Sequence, residues 1–223
     1  MKNKMIRWMI FIVWMGLLAS PIRIYAQKRQ DADKLGMALE YFTSKKYHEC
    51  MLLLQGLDKQ YRLNPRYKAY LGVCYYYEWK YEEASLCLSE VIPQLEAFSP
   101  HERSFYHWAC GESYFQQQKY QEAIPYYKAM LPICYDNEKP DAYYRLGFCY
   151  LFQEDNLNAW NYFQKAKNAY WQYRNTEEVQ ARIKQVEHML DGLLPKVMGT
   201  VVENVNSKGG RLSHVGINER EGK

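Results

Sequence analysis

Residues 71–88 read LGVCYYYEWKYEEASLCL, and their spacing decides the fold. Gly72 is followed by Tyr75, then by Tyr81, Ala84 and Leu88. Offsets of three and four place side chains on one face of a helix. Glu78-Trp79-Lys80 interrupts that periodicity. The stretch therefore reads as two helices joined by a tight turn. A small residue in the first helix lets the backbone of the second come close.

The same pattern recurs along the chain. Gly111, Tyr114, Tyr120, Ala123 and Tyr127 repeat it. Gly147, Tyr150, Ala159 and Phe163 repeat it again, with Asn156 in the place of the middle Tyr. Ala38, Tyr41, Tyr47, Cys50 and Leu54 form a degenerate first copy. These segments resemble tetratricopeptide repeats, which recur about every 34 residues and share an L-G-x2-Y, A-x3-F pattern. Leu71-Gly72 and Leu146-Gly147 match the L-G pair as they stand. No copy has the family's early Trp, Cys110 stands where Leu is usual, and the third copy ends without its Pro. The resemblance covers about residues 31–170. It implies an all-α fold: a right-handed α-solenoid of about four helix pairs plus a C-terminal capping helix. The expected units are about 31–64, 65–103, 104–139 and 140–173, with the cap at 175–194.

The flanks follow from local signals. Pro65 and Pro140 suit the start of first helices. Pro125 falls inside a second helix and should kink it. The extra residues around Phe98-Ser99-Pro100-His101 predict a longer connection or a longer helix before the third unit. Asn175-Thr-Glu-Glu178 reads as a capping box opening the cap helix, whose face is Val179, Ile183, Val186 and Leu190. Residues 195–223 contain no Phe, Tyr or Trp and are rich in Gly, Asn, Ser and charge. They read as a disordered tail, or as a strand beginning at Gly199-Thr-Val-Val202.

Residues 1–26 carry Lys2, Lys4, Arg7 and Arg23, no acidic residue, and the apolar run Trp8 to Leu18. This reads as a secretory signal cleaved before Gln27, with an uncleaved membrane anchor as the alternative. The expected location is the periplasm or cell envelope. The formal charge is +4, and removing the segment leaves none, so nothing electrostatic favours nucleic acid. Cys50, Cys74, Cys110 and Cys149 fall on packing positions where they point at apolar neighbours rather than at each other, and the six cysteines are expected to be structural and mostly unpaired.

No H-E-x-x-H, G-x-S-x-G or phosphate-binding glycine loop is present. The reading is therefore a chain without catalytic residues, metal ligands or cofactor. What remains is the surface that the resemblance assigns to a concave groove lined by first helices. Its partner-binding candidates are Arg66, Tyr76, Tyr77, Phe105, Trp108, Glu112, Phe115, Tyr144, Phe148 and Phe152. Leu35, Leu39, Val73, Phe105 and Ala109 replace the Lys, Asn and Arg of the carboxylate clamp that some family members use on chaperones. The expected function is an exported scaffold or adaptor holding a protein or peptide segment. The alternative is a glycan-binding envelope protein in which Glu112, Gln116, Asp141 and Arg145 meet hydroxyls beside the aromatics.

Overall fold

A computed structural model describes residues 27–174 and 176–212, with side chains through residue 199. The expected signal, residues 1–26, and positions 213–223 lie outside the described residues. The described residues form helices and turns, with no strand. Residues 27–43 are helical (α1). They are followed by α2 Tyr47–Asp58, α3 Pro65–Tyr77, α4 Tyr81–Val91 and a 3-10 turn Ile92–Gln94. Then come α5 Pro100–Gln116, α6 Tyr120–Met130, α7 Lys139–Leu151, α8 Asn156–Tyr173 and α9 Glu177–Leu212. The chain divides between Leu95 and Glu96 into two compact units. The first holds α1–α4 and the second α5–α9.

The first helices α3 and α5 are started by side chains, whereas α7 has no side-chain cap. Asn64 accepts from the Tyr67 N–H (3.1 Å) ahead of Pro65, and Ser99 accepts from the Glu102 N–H (3.3 Å) ahead of Pro100. Such caps satisfy amide groups that the first turn leaves bare. Second helices α2, α4 and α6 have no side-chain cap. Their entry is fixed by the turn before them. Lys45, Trp79, Gln118 and Glu154 all adopt left-handed backbone, with φ between 58 and 61 degrees. The next residue then donates its N–H to the repeat Tyr carbonyl: Lys46 to Tyr41 (2.8 Å), Lys80 to Tyr75 (2.9 Å), Lys119 to Tyr114 (3.0 Å), Asp155 to Tyr150 (3.0 Å). This is the Schellman closure of a helix end, here built four times without glycine.

The small residue of each copy lies under the large residue of its paired helix. A Cβ added at Gly72 would meet the Leu88 side chain at 2.7 Å, one at Gly111 the Tyr127 ring at 3.0 Å, and one at Gly147 the Phe163 ring at 2.6 Å. In the first copy Ala38 and Leu54 are both fully buried. Glycine is thus required for close approach at three crossings.

In the second unit Ala123, Tyr127, Leu146 and Cys149 form one core cluster. Ala159 and Phe163 join Val186, Leu190 and Leu193 of α9, while Ala166 and Tyr170 join Val179 and Ile183. α9 therefore covers the face that α8 would otherwise expose, as the last element of a stacked repeat must.

Three expectations are corrected. The third unit begins at Pro100 rather than 104, because the extra residues lengthen α5 to 17 residues. The cap does not stop at Leu194: residues 195–212 are helical, as neither a disordered tail nor a strand. Pro195 lacks only one N–H, and Val197, 7% exposed, extends the buried stripe past it. Finally, all six cysteines are free thiols, as expected, but Cys50 and Cys74 lie close enough to interact with each other. The two thiols interact across the α2–α3 contact, and the neighbouring Cys50 thiol together with burial raises the Cys74 pKa.

Candidate partner-binding surfaces

The face of α5 and α7 beside the glycine crossings carries most of the expected partner-binding residues. Five rings run in mutual contact across it. Phe115 meets Tyr120 (5.3 Å between centroids) and Phe152 (6.4 Å); Phe152 meets Tyr120 (4.6 Å) and Phe148 (5.8 Å); Phe148 meets Tyr144 (4.9 Å). Arg145 lies over Phe115 (4.6 Å) and Arg182 over Tyr144 (5.2 Å). The Tyr144 hydroxyl donates to Gln185 of α9 (2.7 Å). Phe152 is 51% exposed, and Phe115, Tyr144 and Phe148 are half-buried. Phe148 also packs edge-on against core Phe163 (5.0 Å). Trp108 is half-buried against Tyr127 (5.6 Å), and Phe105 is half-buried beside Tyr106 (6.2 Å).

Glu112 is the exception among the expected residues. It is 3% exposed. Arg145 grips it with two bonds (2.6 and 2.7 Å), and the Tyr127 hydroxyl donates to it (2.5 Å). Burial and the Glu112 charge together push the Tyr127 hydroxyl well above its ordinary range. Although burial opposes it, the Glu112 charge raises the Arg145 pKa. Glu112 and Arg145 are spent on each other, and neither is available to a ligand through that edge. Glu112 is therefore a buried tie between α5, α6 and α7, not a groove contact.

Asp141 is consumed in the same way. It accepts from Tyr170 (2.6 Å), Arg174 (2.7 and 3.0 Å) and Arg182 (2.5 Å). Burial would raise its pKa, but the bonds from Arg174 and Tyr170 prevail and hold it below the usual value of 3.8. Of the four polar groups counted for sugar hydroxyls, Glu112, Asp141 and Arg145 are committed to one another or to their neighbours. Only exposed Gln116 keeps its place.

In the first unit Arg66 is exposed and Tyr76 half-buried. Tyr77 is 40% exposed and stacks flat on Tyr47 at 4.0 Å. The sequence reading missed a cavity of about 800 Å³ in this unit, lined by Asp31, Ala32, Leu35, Leu57, Leu63 and Tyr67 among others. Only Leu35 had been assigned to the groove. The walls come from three separated segments, so no local pattern marks them.

Among the described residues no helix is long and apolar enough to cross a membrane, and no group of three or more His, Cys, Asp or Glu is placed to hold a metal ion. Solved structures share the arrangement. One is MamA from MSR-1, at a TM-score of 0.52 and 16% identity, covering 72% of this chain and 96% of that one. The apo form of RapI aligns at 0.54 and 9% identity, covering 82% and 69%. The nearly identical TPR-like repeats assigned to a Podosopora anserina kinesin light chain align at 0.51 and 12%, covering 82% and 95%.

The fold is that of tetratricopeptide-repeat proteins. At these identities the likeness speaks for the fold alone. No family model and no curated protein matches the sequence.

Proposed function

We propose that this tetratricopeptide-type chain is a protein-interaction scaffold and that the second unit's aromatic strip seats a segment of its partner. The observation that carries this is the connected run Phe115, Tyr120, Phe152, Phe148 and Tyr144, flanked by Arg145 and Arg182. Aromatic and Arg side chains are the favoured anchors of protein interfaces. Contiguous aromatic surface left partly open in this way marks an interaction site. Phe152 is the anchor to test, because half its surface is open and its loss leaves no buried cavity. A photo-crosslinking phenylalanine analogue at position 152 should capture a polypeptide in cells. Phe152→Ala should weaken that partner's binding about 30-fold, or ~2 kcal/mol, with little change in melting temperature. A folded Phe152→Ala chain that binds as before removes the strip from the interface.

We also propose export, on the basis of the basic start and apolar run of residues 1–26. The chain recovered from its own host should begin at Gln27 by intact mass. Recovery of the full-length chain in the membrane fraction would instead identify an anchor.

A further inference from the structure

The first-unit cavity has its own chemistry. Its wall is hydrocarbon from Ala32, Leu35, Leu57 and Leu63, with the Tyr67 ring. Asp31 also lines it, but its oxygens are occupied: Gln27 donates to both (3.0 and 3.1 Å), Lys34 to one (3.3 Å) and the Tyr61 hydroxyl to the other (2.8 Å). Asn64 is spent on capping α3. A peptide backbone brings N–H and C=O groups that need partners when water is removed. This wall has few to give. A hydrocarbon chain needs none. The lining groups with unspent charge are Lys28 and Arg62, both exposed. Neither makes a hydrogen bond or ion pair among the described residues. The volume, about 800 Å³, falls in the range of small-molecule sites.

We propose that this cavity binds a single-chain amphiphile with an anionic head, a free long-chain carboxylate of the fatty-acid class. Its chain lies along Ala32, Leu35, Leu57 and Leu63, and its head meets Lys28 and Arg62. This is separate from the aromatic strip: the residues lie in a different unit, and the ligand is not a polypeptide.

The test is displacement of dansyl-undecanoate from the full chain in detergent-free buffer. Hexadecanoate should displace the probe. Shorter carboxylates should bind more weakly, by up to about fourfold per methylene removed. Hexadecanol should be about tenfold weaker than hexadecanoate, and hexadecyltrimethylammonium should fail. Ala32 is exposed on α1, so Ala32→Phe fills the cavity without entering the core and should abolish binding. Lys28→Glu with Arg62→Glu should weaken hexadecanoate about tenfold at low salt, a difference that fades as salt screens it. The last pair tests the site even if Ala32→Phe folds poorly. No displacement by hexadecanoate overturns the proposal. So does unchanged binding by a folded Ala32→Phe chain, or a photo-crosslinker at position 32 that captures polypeptide and no lipid. Equal affinity for the alcohol and for the charge-reversed chain overturns the anionic head. Binding to phosphatidylglycerol vesicles without binding to soluble hexadecanoate overturns the free carboxylate.

Discussion

Each glycine of the repeat answers to one opposing side chain. Alanine normally favours a helix over glycine by about 1 kcal/mol. At Gly147 the added methyl would sit 2.6 Å from the buried Phe163 ring, and overpacking of this kind costs about 1–3 kcal/mol. Overpacking should win, so Gly147→Ala should lower the unfolding free energy by about 1–2 kcal/mol in urea titration. Gly56, on the exposed side of α2, has nothing within 4 Å of its added methyl. Gly56→Ala should stabilise by about 0.5–1 kcal/mol. Both positions are glycine in a helix, so only the contact separates them. Asp141 gives a pH-dependent counterpart. Its folded pKa is depressed, so its contribution is fully present above the unfolded value, about 3.9. That contribution is lost as pH falls through the folded pKa. Asp141→Asn should therefore cost about 1–3 kcal/mol near neutrality, and the gap from the parent chain should close in acid. The crossing glycines were legible because they recur at fixed spacing. The fate of Glu112 was not: its partner Arg145 lies 33 residues on, and helical phase gives a side chain's direction but not what consumes its charge.

At the level of elements, the four helix pairs were legible because the apolar period breaks at a short turn in every copy. The left-handed residues in those turns were not, since Lys45, Trp79, Gln118 and Glu154 share no side-chain chemistry. α9 shows the opposite failure. Its Gly, Asn and Ser content reads as disorder, and Pro195 reads as a stop. A proline forfeits one hydrogen bond and crowds the preceding turn, whereas the stripe Leu190, Leu193 and Val197 continues across it. Truncation after Gly199 should keep the fold. Truncation after Arg174 removes α9 and bares Phe163 and Tyr170, both fully buried. That shorter chain should lose cooperative melting of its second unit by circular dichroism and bind hydrophobic dyes.

Across the whole molecule, cysteines report on packing in both units. Five are buried and Cys134 is half-buried. Burial raises the thiols of Cys87 and Cys149 to about 12, so little reactive thiolate forms there. Mild alkylation of the folded chain should label Cys134 first. Cys50, Cys74 and Cys87 should follow only as the first unit opens, and Cys110 and Cys149 as the second opens. Rapid labelling of all six by peptide mass mapping would mean that the helices do not hold their cores shut. The candidate surfaces were half legible on this scale. The aromatic strip follows from repeat phase, but the cavity does not, because α1, α2 and the entry to α3 meet there only after folding. The crossing pairs, finally, constrain the order in which copies can diverge. The first copy shows that Ala38 with Leu54 fits, whereas the fourth holds Gly147 with Phe163. Converting the second combination into the first is direction-dependent: after Phe163→Leu the methyl of Gly147→Ala meets a leucine that can turn aside, as Leu88 would have to at Gly72 (2.7 Å), while the reverse order meets the rigid Phe163 ring. The double variant should therefore be more stable than the two single losses predict, by about 1–2 kcal/mol of coupling. A lineage could traverse one path and be barred from the other, though both end at the same sequence.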